Sequence, residues 1–257
     1  SGKLKDFADY KKKLEQLPTR DKALYEFLIK AAVLDERYSE VPVLVEELLK
    51  IEPGDLEAMM TAGKVLFENE KYSEAAVWFK RLWERMPTYP KVLYYIARIK
   101  FLIGEIDDPV DAQGNPVFEN GQKKLGAMTL VKNDIKENGE SDIALTFLAE
   151  IFTQKGDLVQ AENFYKKAQK LNPRSYEALV GLADISTRRN NFDLALDLYK
   201  KALKQRGDEA ELHKKIGDVY RLLGQGALAI ESYKMYLEMD PEASDKAQIE
   251  KYMNIMQ

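Results

Sequence analysis

The chain has 257 residues, 32% charged and 45% hydrophobic, the balance of an ordinary folded protein rather than a disordered one. Its 39 basic and 43 acidic side chains leave a net charge of −4, which argues against binding driven by attraction to nucleic-acid phosphate. Without cysteine, disulfides, thiolate catalysis and Cys-ligated zinc are excluded, and the single histidine, His213, would have to anchor any His-based metal site or Ser-His pair.

Residues 1–21 come first along the chain. LKDFADYKKKLEQLP places Leu4, Phe7, Leu14 and Leu17 at helical spacing ahead of Pro18, which predicts a helix, either part of a repeat or an N-terminal cap. From Lys22 a 34-residue step takes over. Pro87 lies 34 residues after Pro53, Gly207 lies 34 after Pro173, and Pro241 lies 34 after Gly207. EIDDPVDAQGNPVFENGQ, residues 105–122, interrupts the helical pattern with two prolines and two glycines. PVDAQGNPVF sets a turn signal between two short β-prone segments, so this stretch reads as a hairpin or a mobile loop. The last segment, residues 244–257, carries Ala247, Met253 and Met256 on one helical face and reads as a capping helix. No run approaches 18 uninterrupted apolar residues, so no membrane span is expected.

The 34-residue step resembles the tetratricopeptide repeat (TPR), a unit of two helices. Laid on that pattern, units start at Lys22, Leu56, Pro90, Asp142, Tyr176 and Ala210. Position 8, where the two helices of a unit approach, is Ile29, Gly63, Ala97, Ala149, Ala183 and Gly217. Position 20, which faces it, is Val41, Ala75, Ala127, Ala161, Ala195 and Ala229. Ten of these twelve are Gly or Ala, where composition alone would give about two. Anything larger pushes the helices apart, and overpacking costs about 1–3 kcal/mol. Position 24 supplies the large partner: Val45, Phe79, Val131, Tyr165, Tyr199 and Tyr233. Ile29 and Val41 depart from the pattern in the first unit, as do Lys100 and Asp134 in the third. From Pro90 to Asp142 is 52 residues, 18 more than the step, which places 105–122 as an insertion between the helices of the third unit. The resemblance implies an all-α fold, a right-handed α-solenoid of about six helix pairs over residues 22–243 with a flanking helix at each end.

The motifs of catalysis and of cofactor binding are missing: there is no P-loop and no Gly-x-Gly-x-x-Gly. His213 reads as a partly buried filler, and the carboxylates crowd helix starts, where the helix dipole favours them. Asp107, Asp108 and Asp111 lack EF-hand spacing and its closing glutamate, so neither a metal nor a cofactor is expected. In the family the first helices line a concave groove through positions 2, 5, 9 and 12. Position 9 reads Lys30, Lys64 and Arg98, then Glu150, Asp184 and Asp218, three cations followed by three anions. Met60, Phe67, Tyr94 and Phe101 fall beside the cations. That combination suits an extended protein segment bearing carboxylates and apolar anchors. The groove positions hold no asparagine, which disfavours the family's two-carboxylate clamp for chaperone tails. Asp107, Asp108, Asp111, Asn115 and Phe118 mark the insertion as a second contact region. The expectation is therefore a non-catalytic scaffold or adaptor for a protein partner. The alternative is a structural subunit of a larger assembly, self-association included, with Trp78 and Trp83 on its outer surface.

Overall fold

A computed structural model describes residues 21–119, 121–206 and 209–256. The helix expected over residues 1–21 lies, apart from Asp21, outside them. The chain divides into two compact units, one ending at Asn138 and the other beginning at Gly139. Both are built from helices joined by short turns, except for one longer connection over 103–126 in the first unit.

In the first unit the helices are α1 (Lys22–Leu34), α2 (Val41–Ile51), α3 (Leu56–Glu68), α4 (Tyr72–Arg85), α5 (Val92–Leu102) and α6 (Ala127–Asn138). Those of the second are α7 (Asp142–Gln154), α8 (Leu158–Leu171), α9 (Tyr176–Arg188), α10 (Phe192–Leu203), α11 (Ala210–Leu222), α12 (Gly226–Met239) and α13 (Lys246–Ile255). Within each unit a helix packs on the next in sequence, as short turns dictate.

The sequence sets where the odd-numbered helices α1 to α11 begin and end. Asp21, Asp55, Ser141 and Ser175 accept a hydrogen bond from the amide three residues on, satisfying one otherwise orphaned donor in α1, α3, α7 and α9. Each of these six helices is followed by a residue in the left-handed conformation: Glu36, Glu70, Gly104, Gly156, Asn190 and Gly224, at φ 59–84°. The next amide reaches back to a carbonyl in the last turn, as from Lys71 to Leu66 or Gln225 to Tyr220, both at 2.9 Å. These residues recur 34 apart, with one gap of 52 between Gly104 and Gly156.

Close packing then fixes each helix pair. A Cβ on Gly63 would lie 2.6 Å from the Phe79 ring, and one on Gly217 would lie 2.8 Å from the Tyr233 ring. Phe79 and Tyr233 are fully buried, so neither ring can yield cheaply. Rings at this position also tie one pair to the next. Tyr95 on α5 stacks on Phe79 at 4.8 Å, and Gly181 on α9 lets Tyr165 of α8 approach so closely that a Cβ would sit 2.3 Å from its ring. Trp78 is 7% exposed and belongs to this interior, which corrects its expected place on the outer surface; Trp83 is half-buried. The exposed apolar residue on α4 is instead Val77, at 65%.

Between α5 and α6 the chain forms two small antiparallel pairings. Val110 bridges Pro116, and β1 (Phe118–Glu119) pairs with β2 (Gln122–Lys123). The Asp111 carboxylate accepts from the Gln113 and Asn115 amides and from the Asn115 side chain, which closes the first turn. The start of this segment serves α6: the Glu105 and Ile106 carbonyls accept from the Ala127 and Met128 amides. Gly126 admits that crossing, because a Cβ there would lie 2.3 Å from the Asp107 backbone.

Candidate functional site

In the first unit, the first helices of successive pairs carry the basic row. Lys30 is exposed on α1, and Lys64 and Arg98 are half-buried on α3 and α5, with the Arg98 guanidinium 5.9 Å from the centre of the Phe101 ring. Phe67 lies edge-on to Tyr72 and Tyr95, at 5.5 and 5.4 Å, and Tyr94 lies edge-on to Tyr95 at 5.4 Å. With Phe79 beneath Tyr95, these rings form one aromatic cluster whose geometry packing fixes.

Beside that cluster lies an open trough of about 350 Å³, lined by Met60, Lys64, Tyr89, Pro90, Lys91 and Tyr95. Two of the expected residues, Met60 and Lys64, meet there. Lys30, Phe67, Tyr94, Arg98 and Phe101 do not line it. The sequence reading missed Tyr89, Pro90, Lys91 and Tyr95. A signal for Lys91 was present, since it falls at position 2 of its unit, one of the four groove positions. Neither Lys64 nor Lys91 is ion-paired among the described residues. Lys91 sits just before α5 at φ 66°, a left-handed conformation that costs a non-glycine residue about 1–3 kcal/mol. Burial raises both tyrosines above the usual phenol range; the acids adding to this are Glu57 and Asp55 near Tyr89 and Glu68 near Tyr95. Asp55 is itself paired with Lys22 at 3.0 Å.

The acidic row of the second unit has a different character. Asp184 accepts a hydrogen bond from the Tyr199 hydroxyl and two from the Lys215 ammonium, at 2.8 and 2.9 Å. Asp218 accepts from the Tyr233 hydroxyl at 2.7 Å and from Arg221 at 3.4 Å. Burial, with the neighbouring aspartates adding to it, raises Tyr199 and Tyr233 far above the usual phenol range. Tyr165 is pushed up to about 12, mainly by burial, with Glu150 and Asp184 contributing. Position-24 tyrosines thus hold Asp184 and Asp218 from within, so these two acids are structural partners as well as surface charges. Arg221 also lies 4.4 Å from the centre of the Tyr252 ring and helps to seat α13.

The insertion residues are spread over two tasks. Asp108 accepts from the Gly126 amide at 2.9 Å and from Lys123 at 2.7 Å. Partial burial pushes its carboxyl up, but the bonds from Lys123, Gly126 and Thr129 outweigh this and hold it below the usual carboxylate range. Asp111, with Asn115, is committed to the turn described above. Asp107 is exposed, as is Phe118 at 61%. His213 is half-buried on α11. Among the described residues no group of three or more His, Asp or Glu is placed to hold a metal ion, and no helix is long and apolar enough to cross a membrane.

A family model described as tetratricopeptide repeat matches residues 152–218. Solved structures extend the likeness over most of the chain. The APC/C hetero-tetramer Cut9–Hcn1 aligns with a TM-score of 0.68 at 14% identity, over 89% of this chain. This chain spans 41% of the length of that one. Pseudomonas aeruginosa pilF aligns at 0.67 and 12% identity, over 90% of this chain and 96% of its own. PilW, described as a widely conserved type IV pilus biogenesis factor, aligns at 0.67 and 15% identity, over 89% and 97%. No curated protein matches the chain in sequence. At these identities the likeness establishes the fold, an all-α repeat of the tetratricopeptide type.

Proposed function

We propose that this chain, a tetratricopeptide-repeat protein by fold, is a non-catalytic scaffold that binds a segment of another protein along the first helices of its N-terminal unit. The trough at Met60, Lys64 and Lys91 carries this reading, because it combines unpaired cations with an apolar floor. Arg98 and Phe101 continue the same chemistry along α5. A segment bearing carboxylates between apolar anchors complements that surface, and a lone peptide there would bind at roughly micromolar Kd.

The paired substitution Lys64→Glu with Arg98→Glu tests the reading. Partner recovered by the wild-type array, and identified by mass spectrometry, is expected to be lost with the variant while its helicity stays unchanged. Undiminished affinity in the folded variant would contradict it. The second reading, a subunit of a larger assembly, draws on Val110 and Phe118, exposed at 59% and 61% on the insertion. It also draws on Cut9–Hcn1 being a hetero-tetramer. A defined oligomer by light scattering, abolished by Phe118→Ser, favours this second reading over the first.

A further inference from the structure

We infer that the trough between α3 and the start of α5 is a specificity subsite for an internal acidic–apolar pair of the partner, an Asp or Glu beside an aliphatic residue. The inference rests on the scaffold reading above and adds the chemistry of one contact. Its cations come from two places: Lys64 projects from the third turn of α3, and Lys91 from the residue before α5. The walls between them are Met60, Tyr89, Pro90 and Tyr95, so an anion held by the lysines has apolar surface directly alongside. Met60 adapts to differing aliphatic shapes, whereas Tyr95 is fixed by its stacking on Phe79. The acids that act on the two tyrosines, Glu57, Asp55 and Glu68, do not line the trough. At about 350 Å³ the space is at the small end for a ligand site and fits side chains rather than a whole metabolite.

An internal segment suits it better than a chain terminus. The trough is open, and the basic row runs past it on both sides, to Lys30 on α1 and to Arg98 on α5. A peptide can therefore continue in either direction, whereas a terminal carboxylate would need donors closing one end. The backbone at Lys91 supports a role for this residue. At φ 66° a glycine would sit without strain, yet the chain places a lysine there.

Methionine-methyl NMR tests the subsite, because Met60 lines it and reports its occupancy directly. The probe is the end-blocked hexapeptide acetyl-Ser-Ala-Asp-Leu-Ala-Ser-amide, with controls carrying Asn for Asp, Ala for Leu, or no Asp and a free C-terminal Leu. The Asp-Leu peptide is expected to shift the Met60 methyl and to bind about tenfold more tightly than its Asn control. That difference should shrink as salt is raised to about 0.5 M. Lys91→Gly removes the charge and relieves the backbone, so it is expected to raise Tm while weakening the peptide about tenfold. These opposed changes separate a binding role from a structural one. No Met60 shift at about 5 mM peptide, equal binding of the Asn control, or preference for the free C-terminal peptide overturns the inference. If those results appear while Lys64→Glu with Arg98→Glu still abolishes partner recovery, the subsite is wrong and the scaffold reading stands. Partner recovery that survives both sets of substitutions removes the scaffold reading itself.

Discussion

Single residues in this chain show where stability and function are set against each other. Glu36 and Glu70 hold the left-handed positions that Gly104, Gly156 and Gly224 fill elsewhere. A side chain there costs about 1–2 kcal/mol, while glycine loses about 0.5–1 kcal/mol more conformational freedom on folding. Glu70→Gly should therefore stabilise the protein by about 0.5–1 kcal/mol, read as a higher denaturant midpoint with an unchanged m-value. A lower midpoint would show that the Glu70 side chain contributes something beyond its backbone conformation. Lys91 differs in kind: its left-handed backbone lies ahead of a helix rather than after one, and its side chain lines the trough. At Glu70 the same backbone conformation needs only the closing of a helix to explain it.

Among the elements, the segment between α5 and α6 shows how an irregular stretch is fastened to a helical frame. Its carbonyls at Glu105 and Ile106 and its carboxylate at Asp108 meet the first amides of α6 and the Gly126 amide before it, donors that no helical carbonyl reaches. Asp108 is thus part of the scaffold, and Phe118 is left to face outward. The carboxyl is lowered in the folded protein, so its contribution is present above the unfolded value near pH 4 and is lost as pH falls through the lower folded value. Asp108→Asn should reproduce that loss at neutral pH, costing about 1 kcal/mol and speeding amide exchange at Gly126 to Thr129. Exchange there as slow as in the wild type would mean that the backbone carbonyls alone secure the helix start. Deleting 106–120, by contrast, removes Ile106 and Asp108 together with the apolar tip and so cannot separate fastening from binding.

At the scale of the molecule, the fold was legible because close packing writes itself into residue size. Gly63 against Phe79 and Gly217 against Tyr233 recur at the same spacing, so a small residue facing a large ring is visible in the sequence itself. The candidate site was only partly legible. Periodicity pointed to Met60 and Lys64, which line the trough, but Tyr95 and Gly181 act between one helix pair and the next, which a reading unit by unit does not see. The acidic row shows the same limit: Lys215 and Tyr199 reach Asp184 from two other helices, contacts that its own helix does not reveal. Trp78 was misplaced because spacing along one helix does not reveal what covers it from the next. Photo-crosslinking from Met60, on α3, and from Val77, exposed at 65% on α4, shows whether a partner lies along the first helices of the N-terminal unit. Adducts with the partner are expected at position 60 and none at position 77; adducts at position 77 alone would contradict the proposed placement.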